Sequence, residues 1–233
     1  MLVTGTDTGV GKTIVTAAIA ATCEAAGVRV AVLKPAQTGD DDDAATVAKL
    51  AAPTSVTTLT RYPDPLAPLT AARVAGLPPL PMDTATEAVR DLARDHDLVL
   101  VEGAGGLLVS MGCSADGAVW TVADLAVAVG APAIVVIRPD LGTLNHTALT
   151  VEALQRRGIE CRLVIGSWPT EPELVHRTNL PDLATIAPLI GEVPAAAGQL
   201  HPHEFRCASA GWWRIPYEPS HTIREPLSPV SNR

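Results

Sequence analysis

The feature of this sequence that most constrains its fold is a glycine-rich turn near the start of the chain. Residues 5–13 read G-T-D-T-G-V-G-K-T and follow a short apolar run at residues 2–4. Such a turn between a strand and a helix directs several backbone amides into one small space, where they can bind phosphate. Lys12 can reach the outer phosphates, and the Thr13 hydroxyl can bind Mg²⁺. The segment therefore predicts a loop that holds a nucleoside triphosphate.

The first glycine of this loop is displaced by one position from the usual spacing. The pattern G-x-x-x-x-G-K-[ST] would place it at Thr6, whereas the sequence has it at Gly5. The context still fits, because an apolar strand precedes the loop and a helix predicted over residues 14–26 follows it. The alternative is a glycine-rich helix entry with an exposed Lys12. We favour the phosphate loop, since motif and context agree.

The remaining pattern predicts one α/β domain. The chain has 233 residues, of which 47% are hydrophobic and 3% aromatic, so we expect a core of small aliphatic side chains. Predicted helices alternate with strands that are unbroken apolar runs, such as residues 98–101 and 133–137. This is typical of a mostly parallel β-sheet with helices on both faces. We assign this domain to residues 1–213 and expect residues 214–233, which are rich in proline, to form a disordered tail.

Charge and composition exclude several kinds of partner. A formal net charge of −8 argues against a nucleic-acid surface, whose footprint is basic. We find no apolar stretch of membrane-spanning length and no signal peptide, so we expect no membrane partner and a cytoplasmic location. The four cysteines have no C-x-x-C spacing, which favours free thiols in a reducing compartment.

Polar segments follow strand after strand of the predicted sheet. Ligands of parallel sheets bind at the carboxyl ends of the strands, so segments that are distant in sequence should meet there. The segments are residues 8–13, 34–38, 102–106, 140–145 and 166–167.

Three charged features in these segments have alternative interpretations. Glu102 ends an apolar strand and could bind Mg²⁺ beside the phosphate loop, or turn to water. The acidic run at residues 40–43 suits a helix N-terminus, or contributes a second metal ligand. Lys34, before Pro35 at a predicted strand end, either neutralises an anion or is an ordinary surface lysine. The residues alone leave these alternatives open.

Five segments together resemble the dethiobiotin synthetase family. They are G-T-D-T-G-V-G-K-T, K-P-A-Q-T-G, V-E-G-A-G-G, L-G-T-L-N-H and G-E-V-P, at residues 5–13, 34–39, 101–106, 141–146 and 191–194. The resemblance covers about residues 1–213, and the displaced first glycine is the family's own pattern. It implies a single-domain P-loop NTPase-like fold and a homodimer. It also implies a Mg²⁺-dependent ligase that forms the ureido ring of dethiobiotin from 7,8-diaminononanoate, CO₂ and ATP or another nucleoside triphosphate.

The resemblance also assigns the site residues. Lys34 resembles the catalytic lysine, Lys12 the lysine on the γ-phosphate, and Thr8 a group that places the carbamate and the γ-phosphate. The Mg²⁺ ligands that it implies are Thr13, Asp43 and Glu102. The substrate-binding residues are Thr38, Gly103, Gly106, Thr143, Leu144 and Asn145. The nucleotide-binding residues are Gly9, Val10, Gly11, Lys12, Thr13, Ile14, Asp43, Glu102, Gly103, Ala104, Gly105, Gly166, Ser167, Pro194, Ala195 and Ala196.

Two departures from the family pattern and one rival class affect these expectations. The family often has an asparagine that reads adenine where this chain has Gly166, so we expect a looser choice of nucleotide. The strand before the loop is short, so we expect the natural start to lie upstream. The alternative class is a P-loop switch or partitioning ATPase, which usually has a second lysine near the loop start. Residues 5–8 have no such lysine.

Overall fold

The computed structural model describes residues 1–114 and 116–214, in which strands and helices alternate. The strands are β1 (Leu2–Gly5), β2 (Val30–Thr38), β3 (Ser55–Tyr62), β4 (Leu98–Glu102), β5 (Ser110–Cys113), β6 (Val119–Thr121), β7 (Ala133–Ile137), β8 (Cys161–Trp168) and β9 (Leu189–Pro194). The helices are α1 (Lys12–Ala25), α2 (Asp43–Ala51), α3 (Pro68–Ala75), α4 (Met82–Asp95), α5 (Val122–Val129), α6 (Thr143–Gln155), α7 (Leu174–Ile186) and α8 (Pro202–Ser209). Short 3₁₀ turns lie at Ala197–Gln199 and Ala210–Trp212.

Seven of these strands form one parallel sheet in the order β3-β2-β4-β1-β7-β8-β9. Helices α1, α2 and α8 cover one face, and α3 to α7 contribute to the core on the other face. β5 and β6 form a separate antiparallel pair. The predicted mostly parallel sheet with helices on both faces is confirmed. β1, which leads into the phosphate loop, lies in the middle of the sheet, with β4, β2 and β3 on one side and β7, β8 and β9 on the other.

The small aliphatic composition explains how closely the layers pack. β7 is fully buried along its length, as expected for a central parallel strand that is covered on both faces. On the facing helix α1, Ala17, Ala18, Ala20 and Ala21 are all buried. Because alanine adds little bulk, α1 can lie close to the sheet, and its first turn is held directly after β1.

Several elements differ from the sequence prediction. β2 extends to Thr38, so Lys34 lies inside a strand and not at its end. β3 was not predicted, because this half-buried edge strand is rich in threonine and shows no apolar run. β9, α7, α8 and the β5–β6 pair were also not predicted. α7 contains Pro181, which weakens its helical signal.

The described part of the chain ends against β9. The backbone amide of Arg214 donates to the Ile190 carbonyl at 2.8 Å. The tail predicted at residues 214–233 lies, after Arg214, outside the described residues. In the described ranges, no helix combines the length and the hydrophobicity that crossing a membrane requires.

Candidate active site

The turn between β1 and α1 has the geometry of a phosphate-binding loop. Gly9 and Gly11 have φ angles of 69° and 98°, in the left-handed region that favours glycine. Gly11 precedes the first turn of α1 and has no side chain that could cap it, so the amides of that turn can bind an anion. Lys12 is buried, and its Nζ donates to the Asp7 carbonyl at 2.9 Å. The lysine therefore lies folded over the loop.

A buried lysine joins this loop to two acidic residues from other elements. Lys34 Nζ, on β2, lies 2.5 Å from Asp43 Oδ2 at the start of α2 and 2.9 Å from Glu102 Oε1 at the end of β4. It also donates to the Gly103 carbonyl at 3.2 Å. Thr13 Oγ1 lies 2.9 Å from both Asp43 Oδ1 and Glu102 Oε1. Segments predicted to meet at the sheet edge are thus within hydrogen-bonding distance.

Burial and charge act in opposite directions on these groups. Burial lowers the pKa of Lys34, but the charges of Glu102 and Asp43 and their hydrogen bonds outweigh it and raise that pKa above its ordinary value. Burial likewise raises the pKa of Asp43, and Lys34 reverses this and holds it below its usual range. Burial, followed by the charge of Lys34, lowers the pKa of Lys12 to about 8. Lys34 and Asp43 are therefore a charged pair.

The oxygen atoms around Lys34 fit a magnesium ion. Glu102 Oε2 is buried and has no hydrogen-bond partner among the described residues, which is costly for a carboxylate oxygen unless a cation binds it. The Thr13 hydroxyl and the Asp43 carboxylate lie beside the same glutamate. Mg²⁺ is usually bound by one or two carboxylates together with phosphate oxygens and water. Thr13, Asp43 and Glu102 form a donor set of this kind.

The glycine-rich segment after β4 packs against the phosphate loop. The Gly103 amide donates to the Val3 carbonyl at 2.9 Å. A Cβ atom at Gly106 would lie 3.6 Å from the carbonyl oxygens of both Gly5 and Thr6. Gly105 has a φ of 65°, and its Cβ would lie 3.5 Å from Thr8 Oγ1. The Thr8 hydroxyl therefore borders the segment that includes Ala104. This segment directly follows Glu102, which is hydrogen-bonded to Lys34.

An open cleft of about 350 Å³ lies on the other side of the phosphate loop. Its lining residues are Gly9, Val10, Arg138, Pro139, Asp140, Ser167, Pro169, His176 and Ala195. The Ala195 amide donates to the Trp168 carbonyl at 2.7 Å, which joins the ends of β9 and β8. Pro194 ends β9, and Ala196 follows in a left-handed conformation with a φ of 61°. Four of the residues predicted to bind nucleotide thus line one cleft.

Gly166 lies directly against the phosphate loop. A Cβ atom there would lie 1.9 Å from the Val10 carbonyl oxygen and 2.6 Å from Val136 Cγ1. A Cβ atom at Gly11 would lie 2.6 Å from the Gly166 carbonyl oxygen. This close approach leaves no room for any side chain at position 166, so β8 offers only backbone groups to a ligand there.

The other predicted substrate residues lie at two separate places. Thr38 ends β2, and Thr143, Leu144 and Asn145 form the first turn of α6. Thr143 Oγ1 donates to the Arg138 carbonyl at 2.6 Å, so its hydroxyl is already engaged. The Thr143 amide donates to the Asp140 carbonyl at 3.2 Å, and Gly142 before this turn has no side chain that could cap the next amides. The amides of Leu144 and Asn145 are therefore the ones able to bind an anion.

Ile14 lies in the first turn of α1, directly after Thr13. A Cβ atom at Gly198 would lie 2.7 Å from Ile14 Cδ1, so the two residues pack directly. Its backbone amide remains part of the first turn that follows the phosphate loop.

The individual roles of two residues near the site were missed from the sequence. Arg138 Nη2 donates to the Thr8 carbonyl at 2.8 Å, although the residues are 130 positions apart. Gln37 Oε1 accepts from the Asp43 amide at 3.2 Å. Neither residue belongs to a pattern that indicates such a contact. Only the fold brings them to the site.

A parallel sheet with a phosphate loop after its central strand, and a lysine, a threonine and two acids around that loop, defines a P-loop NTPase. Solved structures with this fold include the cell division protein MinD of Aquifex aeolicus, with a TM-score of 0.54, 16% identity and coverage of 89% of this chain and 85% of that one. A ParA family ATPase of Chlorobium tepidum TLS has a TM-score of 0.53 and 13% identity, with 88% and 89% coverage. At such low identity, the likeness shows the fold alone.

Sequence relatives identify the family within this class. Residues 1–200 match the family described as AAA domain. The ATP-dependent dethiobiotin synthetase BioD of Rhodococcus jostii (strain RHA1) is 52% identical over 220 residues, which are 91% of this chain and 94% of the relative. The protein of that name from Saccharopolyspora erythraea is 55% identical over 204 residues, with 84% and 88% coverage. The chain belongs to the dethiobiotin synthetase family.

Proposed function

We propose that this chain is a ligase that forms the ureido ring of dethiobiotin from 7,8-diaminononanoate, CO₂ and ATP, with Mg²⁺ as the cofactor. The observation that carries this proposal is the position of Lys34 Nζ, 2.5 Å from Asp43 and 2.9 Å from Glu102. Both acids also lie 2.9 Å from the Thr13 hydroxyl of the phosphate loop. A cation-binding set and a fixed positive charge therefore stand beside the place where a terminal phosphate would lie.

The proposed reaction proceeds in three steps. One amine of the substrate attacks CO₂ and loses a proton, which gives a carbamate. A carbamate oxygen then attacks the γ-phosphorus, and ADP leaves, so that a carbamic–phosphoric anhydride forms. The second amine attacks the carbonyl carbon and loses a proton, and inorganic phosphate leaves as the ring closes. The protein's contribution is mainly positioning and charge neutralisation.

We assign to Lys34 the positive charge that holds the two reacting groups together. Its raised pKa keeps it positive, so it can bind a carbamate oxygen and a γ-phosphate oxygen at once. Mg²⁺ held by Thr13, Asp43 and Glu102 would supply further neutralisation of the phosphate oxygens. The buried surroundings strengthen each of these interactions, since little water screens them.

The phosphate loop would hold the rest of the triphosphate. The amides of residues 9–14 surround the phosphates, and Lys12 moves from the Asp7 carbonyl to the γ-phosphate. Binding of that anion offsets the burial that lowers the pKa of Lys12 to about 8. The Thr8 hydroxyl, next to Gly105, would contact both the carbamate and the γ-phosphate.

The nucleoside would extend into the cleft on the far side of the loop. Ser167 and Ala195 line this cleft, and Gly166, Pro194 and Ala196 adjoin it. Since Gly166 has no space for a side chain, no side chain at this position reads the base, which supports a loose choice of nucleotide.

We further propose that the site is completed in a homodimer. The backbone of Gly103 and Gly106, with the Thr38 hydroxyl, would contact the diamine. The amides of Leu144 and Asn145, in the first turn of α6 (Thr143–Gln155) of one subunit, would bind the carboxylate at the far end of a substrate held by the other subunit. The partners are thus small molecules and a second copy of the chain. We place this biosynthetic reaction in the cytoplasm.

The switch or partitioning ATPase is not favoured. Relatives at about half identity over most of the chain carry the synthetase name, whereas the MinD and ParA structures share only the fold.

The function is tested with the full chain, the diamine, bicarbonate, ATP and Mg²⁺. We expect dethiobiotin and ADP in a one-to-one ratio, measured by mass spectrometry. Lys34→Ala should abolish the product while calorimetry still detects bound nucleotide, and the exposed Lys49→Ala serves as the matched control. Full product formation by Lys34→Ala would remove Lys34 from the mechanism. A rate of ATP hydrolysis that is the same with and without the diamine, together with ATP-driven dimerisation, would favour the switch class.

A further inference from the structure

Gln37 is a buried polar residue beside the site for which the proposed chemistry has no use. It lies on β2 and is only 4% exposed. Its Oε1 accepts from the Asp43 amide at 3.2 Å, and its Nε2 donates to the Thr38 carbonyl at 3.4 Å. A buried amide side chain costs free energy unless its groups are paired, so these contacts fix its orientation.

The contact with Gln37 gives the Asp43 amide a hydrogen-bond partner that the helix itself cannot provide. The first amides of an α-helix have no partner within the helix, and Asp43 is the first residue of α2. Asp42 caps another of these amides by accepting from Ala45 at 2.9 Å, and it also accepts from Arg61 Nη2 at 2.8 Å. Gln37 and Arg61 are register partners on β2 and β3. Two neighbouring strands thus hold the start of α2.

The start of α2 places the Asp43 carboxylate. Its Oδ1 accepts from Thr13 at 2.9 Å and its Oδ2 from Lys34 at 2.5 Å. Mg²⁺ requires near-octahedral geometry with short bonds to oxygen, so a small displacement of one ligand weakens binding. Groups that orient a metal ligand typically change metal affinity or activity by about 10–100-fold when they are removed.

We propose that Gln37 is a positioning residue of the magnesium site, which acts by holding the main chain of Asp43. This inference rests on the proposed function, because it assigns Asp43 as a metal ligand. It goes beyond that assignment by making the affinity for the cation depend on a side chain that does not touch the cation. Arg61, through Asp42, secures the same helix start from the exposed side.

The test compares the full chain with Gln37→Met, which removes the acceptor, and Gln37→Glu, which keeps an acceptor oxygen. Thr58→Val is the matched control, because this buried hydroxyl on β3 has no hydrogen-bond partner in the described part of the chain. Electron paramagnetic resonance measures Mn²⁺ binding in the presence of ATP. We expect Gln37→Met to weaken Mn²⁺ binding by about tenfold or more, and Gln37→Glu and Thr58→Val to stay within about threefold of the unaltered chain. Excess Mg²⁺ should restore the turnover of Gln37→Met.

A second measurement does not depend on a metal ion. Hydrogen exchange of the Asp43 amide in the nucleotide-free chain should be slow, and Gln37→Met should accelerate it. Rapid exchange of this amide in the unaltered chain would overturn the proposal. So would unchanged Mn²⁺ binding by a folded Gln37→Met chain, equal weakening by Thr58→Val, or failure of Gln37→Glu to retain affinity. Mn²⁺ binding requires no product, so a chain that forms no dethiobiotin contradicts the proposed function and leaves the Gln37 test intact.

Discussion

Lys34 Nζ and Glu102 Oε1 lie 2.9 Å apart, although the residues are 68 positions apart in the sequence. Their side chains are 5% and 1% exposed, so the charge of Glu102 depends on Lys34 for compensation, and the charge of Lys34 depends on Glu102 and Asp43. Losing one partner of a buried pair is costly, because the remaining charge stays buried. This pair therefore links the stability of the fold to the chemistry of the site.

We predict that Glu102→Gln weakens both properties. Lys34 keeps Asp43 as a partner, so the expected loss in the free energy of unfolding is about 1.5–3 kcal/mol, the range for hydrogen bonds to charged groups. Product formation should fall by about 100-fold or more, since a preorganised charge is removed. Urea unfolding and product assays measure the two effects. Glu152→Gln, which alters an exposed pair with Arg156, should change stability by less than about 0.5 kcal/mol. Comparable losses in the two variants would disprove the special role of the buried pair.

Gly166→Ala should disturb the phosphate loop. The added Cβ would lie 1.9 Å from the Val10 carbonyl oxygen, so β8 or the loop must move. Overpacking of this kind typically costs about 1–3 kcal/mol, and ATP affinity should fall with it. Thermal unfolding measures the loss of stability, and calorimetry measures the affinity for ATP. Gly211→Ala is the control, because its Cβ would meet no atom within 4 Å. Unaltered stability and ATP affinity in Gly166→Ala would show that the close approach is not present in solution.

The same absence of a side chain at position 166 predicts weak base selection. Calorimetric titrations with ATP, CTP and GTP, each with and without the diamine, should give affinities within about tenfold of one another. Position 166 can supply no side-chain hydrogen bond to favour one base, and one such bond contributes on the order of 1 kcal/mol. Binding of ATP alone would contradict this interpretation and would require a base-reading side chain elsewhere in the cleft.

The pair of Arg29 and Asp97 predicts a defined pH dependence. A side-chain hydrogen bond from Arg29, followed by one from its backbone amide, lowers the pKa of Asp97 from 3.8 to about 2. Because the folded pKa is the lower one, the pair stabilises the fold fully above pH 3.8, and this contribution is lost as the pH falls towards 2. NMR titration of the Asp97 carboxyl should show a midpoint near 2 in the unaltered chain and a higher one in Arg29→Met, which keeps the hydrogen bond from the backbone amide but loses the one from the side chain. An ordinary midpoint in both chains would contradict the pairing.

The cysteines should differ widely in reactivity. Burial, with a smaller contribution from Glu24, raises the pKa of the Cys23 thiol to about 12, whereas Cys207 is exposed. The thiolate is the reactive form, so a disulfide reagent at pH 8 should label Cys207 first and Cys23 only after unfolding. Cys207→Ser should remove the fastest phase of labelling. Early labelling of Cys23 in the native chain would indicate that α1 opens.

The sequence predicted the class of fold and the segments of the site because both depend on local patterns. Residues 5–13 carry the phosphate loop in a contiguous motif, and apolar runs such as β7 identify central strands. β3 was missed, since an edge strand that packs on one side needs no apolar run. Arg138 and Gln37 were missed because their contacts depend on how the loops fold together, which no spacing in the sequence specifies.

The location of Lys34 within β2, and not in the loop that follows, has a mechanical consequence. β2 is paired with β3 along residues 31–38 and with β4 along residues 30–33, so Lys34 is paired on one side and directly follows the ladder on the other. Lys34, the positive charge that we assign to the transferred phosphoryl group, is therefore carried by a hydrogen-bonded strand inside the sheet. We therefore expect substrates to enter and products to leave through movement of the surrounding loops, while the position of Lys34 does not change from one turnover to the next.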